Sequence, residues 1–259
     1  MKEWIKNLYN YRLLLKSNVK KEIRGKYKAS FLGILWSFIN PLLTALVYAI
    51  VFPFILKNTE AHYVTFIIIG ILPWTYFTTT IIQGTTVILY NAGIIKKVYF
   101  PREILPIAVN TSGLINFLIS CVIIFAFLLF TGIGFSRYIL FLPLIILVQY
   151  IFQLGIILIT SAIEIYIRDA EYIINFFVNM LFYATPIIYS AKMFEGSSVA
   201  WLINLNPMAS IINSYRNILF YQTMPEIKSL LFTLGASLIL LFIGFKIFNK
   251  LQKGFAEEV

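Results

Sequence analysis

The chain has 259 residues and a formal net charge of +10, with 12% charged against 60% hydrophobic residues and a mean hydropathy of +0.85. Soluble domains carry about a quarter charged residues, so this composition excludes a water-soluble fold. It also sets aside nucleic acid as the reason for the excess charge, which is distributed like a membrane topology signal.

Residues 1–34 are basic and precede any long apolar stretch. Trp4, Leu8, Tyr11, Leu15, Val19 and Ile23 recur at three- or four-residue steps, with Lys6, Asn10, Ser17, Lys20, Lys21 and Arg24 largely off that stripe. This is the spacing of an amphipathic helix. Placed directly before a span, it is expected on the inner leaflet, where anionic lipids attract each Lys or Arg by about 1 kcal/mol. The sharper reading makes it a collar around the cytoplasmic mouth of a pathway. No cleavable signal is evident, because no small-residue cleavage pattern follows a short apolar core.

Six apolar stretches follow, near 35–56, 64–89, 107–130, 139–163, 172–189 and 229–248. A hydrocarbon core about 30 Å thick takes roughly 20 apolar residues to cross as a helix, and only helices or closed barrels satisfy their own backbone in lipid. The sequence therefore predicts an all-α membrane protein with six transmembrane helices, arranged as a cytoplasmic amphipathic helix (1–34), a six-span domain (35–248) and a cytoplasmic tail (249–259). The segment before the first span, the second and fourth connections and the tail, counted with Lys246 at the end of the last span, together hold 16 of the 21 Lys and Arg residues. The alternate connections hold only five, Lys57, Arg137, Lys192, Arg216 and Lys228. Both termini are therefore expected in the cytoplasm. A seventh span at 201–221 would contain Asn204, Asn206, Pro207, Asn213, Arg216 and Asn217 and would place the basic tail outside. Residues 191–228 are expected instead to form short amphipathic helices lying in or dipping into the outer interface, with Pro207 opening one of them.

The spans hold almost no ionisable residue apart from Glu164 at the end of the fourth, which argues against proton or sodium coupling. Cys121 stands alone, so no disulfide forms, and His62 reads as a solvated loop residue. The polar content is neutral: Gln83, Asn110, Asn116, Gln149, Gln153, Asn175 and Asn179, with Trp36, Tyr48, Trp74 and Tyr76. Such residues either join helices and form interfacial belts or line a path for a hydroxyl-rich, neutral or weakly charged substrate. Ring faces pack on the apolar faces of sugars, while amides bond their hydroxyls. On the second reading Trp36, Tyr48, Trp74, Tyr76, Gln83 and Gln149 line the path. Catalysis has little support. The chain has no G-x-x-x-x-G-K-[ST] phosphate loop, H-E-x-x-H, Cys–His cluster or G-x-S-x-G, and so no catalytic residue or metal ligand is assigned. The acids Glu103, Glu164, Asp169 and Glu171 are few and mixed with basic residues.

Two short connections share the expected cytoplasmic side. Residues 91–106 carry Lys96, Lys97, Arg102 and Glu103 and have room for a turn or two of helix, whereas 165–173 form a tight turn with Arg168 and Asp169 at its tip. Compact charged elements of this kind suit docking to a soluble partner, and simple positive-inside anchoring accounts for them as well.

At these residues the chain resembles a known family. RGKYKASFLGILWSFINPLL (24–43), IIKKVYFPREILP (94–106), the Arg168–Asp169 pair and NPMASIINSYRNILF (206–220) are similar, in order, to the ABC-2 type permeases of bacterial polysaccharide exporters. Those are the membrane subunits that export O-antigen, teichoic acid and related glycans. The resemblance implies a homodimer in the bacterial inner or plasma membrane with two copies of a separate ABC ATPase, which binds the ATP and Mg while this chain binds no cofactor. No internal repeat is visible, so a twofold pathway needs two chains. Lys96, Lys97, Arg102 and Glu103 would lie in the coupling segment (91–106) that meets the ATPase, with Arg168 and Asp169 as a secondary contact. Lys20, Lys21, Arg24, Lys26 and Lys28 would stand where the pyrophosphate of an undecaprenyl-linked glycan arrives, and 191–228 would form an outer gate. Competing readings are an ABC-2 type exporter of drugs or small lipids, a membrane scaffold for a biosynthetic complex, and a membrane glycosyltransferase. The glycan itself stays open.

Overall fold

The computed structural model describes residues 9–26, 31–56, 61–194, 196 and 200–258, and among them every regular element is helical. In chain order the α-helices are α1 (Arg12–Lys26), α2 (Trp36–Leu56), α3 (Tyr63–Tyr90), α4 (Ala92–Ile95), α5 (Ile104–Phe130), α6 (Leu142–Glu164), α7 (Ala170–Tyr183), α8 (Ala200–Leu205), α9 (Pro207–Leu219), α10 (Ile227–Leu251) and α11 (Phe255–Glu258). Among the described residues, five stretches are long and apolar enough to cross a membrane: Trp36–Ile55, Tyr63–Tyr90, Ile104–Phe130, Arg137–Glu164 and Ile227–Gly254. They coincide with five of the six expected spans.

The stretch expected to be helical over 172–189 differs. Its helix, α7, is 14 residues long, about 21 Å at roughly 1.5 Å per residue, which falls short of a hydrocarbon core of about 30 Å. The cause is Pro186. It has no N–H to donate and sterically excludes the helical conformation from Thr185. The chain turns inward there, burying Ile187 and Ile188.

α3 is the central helix. It packs on α2, α5, α6 and α9 and is buried along most of its length, whereas α2 and α10 present most of their apolar surface outward. α6 and α10 cross closely at two glycines: a Cβ on Gly244 would lie 2.6 Å from the Gly155 carbonyl oxygen, and one on Gly155 would lie 2.9 Å from the Leu241 nitrogen. Such close backbone approach is the usual way helices associate in lipid, where apolar burial offers no advantage between helices. Amides and hydroxyls complete the joints. Gln149 donates to the Pro73 carbonyl at 2.8 Å and accepts from the Tyr215 hydroxyl at 2.9 Å, tying α6 to α3 and α9. Thr85 bonds Thr160 at 2.9 Å.

Pro207 occupies the first turn of α9, and the Asn206 side chain accepts from the Met208 N–H at 3.0 Å to cap it, a favoured arrangement at helix starts. α9 is more deeply placed than an interfacial helix: it packs against α3, α6 and α10 and buries both Tyr215 and Arg216.

Candidate functional site

A cavity of about 320 Å³ opens between the N-terminal part of α2, the middle of α3 and α5. Helical spacing brings its lining together. α2 gives Trp36 and Asn40, α3 gives Thr75, Tyr76, Thr79 and Gln83, and α5 gives Asn116, Phe117 and Ser120. Gly113 makes room for this packing, since a Cβ there would collide with the Thr80 hydroxyl and lie 3.0 Å from the Tyr76 ring. Tyr76 stacks on Phe117 with centroids 5.3 Å apart, and its hydroxyl donates to Asn110 at 3.3 Å. Thr79 and Ser120 donate back to the Thr75 and Asn116 carbonyls at 2.7 and 2.9 Å. Every lining residue is neutral. Aromatic faces, amides and hydroxyls suit contact with sugar rings.

Of the six residues expected along a pathway, Trp36, Tyr76 and Gln83 line this cavity. Tyr48 packs on Phe52 and Phe182, with centroids 5.5 and 5.9 Å away. Trp74 is buried against Phe77 and Phe182, and Gln149 is fully buried in the joint described above. Sequence reasoning passed over Asn40, Thr75, Thr79, Phe117 and Ser120. The i, i+4, i+8 spacing of Thr75, Thr79 and Gln83, which puts three polar groups on one face of α3, was the available signal.

At one end of the helices Lys96, Lys97, Arg168 and Asp169 are exposed in their connections. Arg102 is half-buried and donates to the Gln252 carbonyl. Glu103 is 6% exposed, and burial pushes its carboxyl above the usual carboxylate range. These residues thus divide into an outward set and a pair turned into the protein. α1 packs along α5, with Tyr11, Leu14 and Leu15 facing an apolar cluster. Lys20 and Arg24 are exposed, and Lys21 donates to the Asn91 side chain at 2.7 Å, fixing α1 to the start of the 91–106 connection. The side chain of Lys26 and all of Lys28 lie outside the described residues.

At the other end, the segment after α7 leaves carbonyls facing the interior, and one cation collects them. Arg216 donates to the carbonyls of Pro186, Ile187 and Tyr189, and Tyr63 donates to that of Ile188. The guanidinium lies over the Phe66 ring, 3.6 Å from its centroid, and against Gly70, whose Cβ would come within 2.7 Å of Nη2. Buried backbone without water has to be satisfied by such donors. The sequence had offered Arg216 as an outer positive charge and as an argument against a seventh span, with no sign of these partners.

The chain thus joins helices of membrane-spanning length to a neutral polar cavity and an end with exposed charges. The chain belongs to the ABC-2 type transporter family, whose profile matches residues 14–220. It is 31% identical over 256 residues to the O-antigen export system permease protein RfbA of Myxococcus xanthus, covering 98% of each chain. Two O-antigen export system permease proteins RfbA of Klebsiella pneumoniae are 36% identical over 240 residues, covering 92% of this chain and 91% of theirs.

Proposed function

We propose that this chain is the permease subunit of an ABC transporter that exports a lipid-linked cell-surface polysaccharide of the O-antigen type across a bacterial inner or plasma membrane. The observation that carries the reading is the charge-free cavity, in which Trp36, Tyr76, Gln83 and Asn116 bring ring faces and amides together. The names of the relatives favour a glycan over drugs or small lipids as cargo.

The chain acts as a homodimer with two copies of a separate ATPase, which supplies the ATP and Mg chemistry that no loop of this sequence supplies. Both termini face the cytoplasm, as the distribution of Lys and Arg supports. That requires an even number of crossings, so α7 with the turn after it makes the sixth. Lys20, Lys21 and Arg24 attract the pyrophosphate of the lipid carrier at the entrance. Lys96, Lys97, Arg168 and Asp169 face the ATPase. ATP binding closes the ATPase pair, the 91–106 segment passes that motion to α3 and α5, and the two permease chains part to admit the glycan.

The test is deletion of the gene followed by analysis of lipid-linked glycans inside the cell. Retention of a finished polymer, reversed by the intact gene, is the expected result. An unchanged glycan pool with altered drug or lipid efflux would favour the small-molecule reading.

A further inference from the structure

The C-terminal tail, read from sequence as a plain basic end, is built into the docking end of the protein. After α10 the chain passes through one 3-10 turn (Gln252–Gly254) into α11 and folds back on the two connections. Phe255 is fully buried, edge-on to Phe248 with centroids 5.4 Å apart and tilted to Tyr166 at 6.5 Å. It joins Ile95 and Phe100 of one connection and Ile165 of the other in a single apolar cluster. Polar bonds fasten the same turn from both sides. Arg102 donates to the Gln252 carbonyl and lies over the Phe255 ring at 5.7 Å, and the Tyr166 hydroxyl donates to the Leu251 carbonyl at 2.8 Å. Gly254 lets the turn pass close to Tyr166, since a Cβ there would sit 2.6 Å from the Tyr166 hydroxyl oxygen.

Short connections with few buried contacts open locally and pass little force. Here two of them are joined through a third element. We propose that residues 252–258 lock the 91–106 and 165–169 connections into one rigid docking surface, with Arg102 and Phe255 as positioning residues that do not themselves meet the partner. The surface left outward has exposed apolar groups, Ile94, Val98 and Tyr99, beside Lys96 and Lys97. It fits a soluble subunit presenting an apolar groove with an acidic rim. That partner assignment rests on the transport reading above, whereas the lock itself does not.

The test is hydrogen exchange on the full chain purified in detergent, comparing the wild type with Phe255→Ala and with Gly254→Val. The second variant crowds the turn against Tyr166 and does not touch the 91–106 connection, so the rise at 94–100 is its decisive reading if the first misfolds. Exchange at 94–100 and 165–169 is expected to rise together, by about tenfold or more for loss of so buried a ring, while α3 and α6 stay protected. Wild-type exchange in both connections, or a rise in only one, overturns the lock. Export driven by the partner ATPase is then read in the same variants and in Arg102→Ala, with Phe255→Leu as the conservative control. Loss of export with the partner still bound, and recovery in Phe255→Leu, is the expected pattern. Full export despite loosened connections overturns the positioning role while leaving the transport reading intact. A wild-type chain that exports nothing counts against that reading alone, and the exchange data still decide the lock.

Discussion

Arg216 offers the sharpest perturbation, because its partners are backbone atoms with no other way out of a buried segment. Its guanidinium supplies donors to the carbonyls of Pro186, Ile187 and Tyr189. Leaving a buried acceptor unsatisfied costs about 1–3 kcal/mol, so Arg216→Ala, which strips the donor from three carbonyls, is expected to cost about 3 kcal/mol or more. Arg216→Lys keeps the charge and loses the planar fork and the stack on Phe66, so it falls between. Gly70 supplies the decisive control. In the wild type, a Cβ at Gly70 meets Nη2 of Arg216 at 2.7 Å and the Ile187 carbonyl oxygen at 3.0 Å, an overpacking expected to cost about 1–3 kcal/mol. In an Arg216→Ala background the first clash is gone, so Gly70→Ala is expected to cost markedly less there. The assay is equilibrium unfolding of the four proteins of this cycle in mixed detergent micelles, with stability differences compared pairwise. Additive costs, or an Arg216→Ala change below about 1 kcal/mol, would refute the claim that this side chain satisfies the broken segment.

Three further outcomes follow from named groups. Reversing both exposed lysines (Lys96→Glu with Lys97→Glu) is expected to abolish export and weaken ATPase co-purification while the chain still inserts; unchanged co-purification removes them from the interface. Trp36→Ala is expected to lower export with little change in stability because Trp36 is partly exposed on the cavity wall, whereas Trp36→Phe keeps most of it; export assays on membranes with equal permease levels decide this. Glu103 has its carboxyl pKa raised by burial, so its charge penalty is absent in acid and grows as pH rises from the usual carboxylate value of about 4.3 through the raised folded value. Glu103→Gln is therefore expected to be more stable than the wild type near pH 8, with the difference vanishing near pH 4 in thermal unfolding. A pH-independent difference contradicts that assignment.

What the sequence made legible was governed by periodicity and length. Among the described residues, five span-length helices stand where apolar runs placed them, because a 20-residue apolar segment in lipid satisfies its own backbone as a helix. The remaining run was read through Thr185–Pro186 as if apolar composition outweighed the missing N–H, and the backbone shows the reverse. Arg216 was counted as one outer charge, since nothing local marks a side chain whose partners lie 27–30 residues away. Trp36, Tyr76 and Gln83 were found on the cavity while Trp74 and Gln149 sit in the interior. Residue type alone does not separate an amide that joins helices from one that faces a path. Phe255 gave no signal because one aromatic residue among basic and acidic neighbours has no period to detect.

The most direct test of the transport account is reconstitution. The chain is placed in proteoliposomes with its ATPase partner and an undecaprenyl-linked glycan from the same cells, and a glycan-specific lectin outside reports the sugar on the far leaflet. ATP-dependent appearance of lectin-accessible glycan, lost in the double lysine reversal, is the predicted result. Glycan that stays inaccessible while ATP is hydrolysed, or that crosses equally well without ATP, would contradict it.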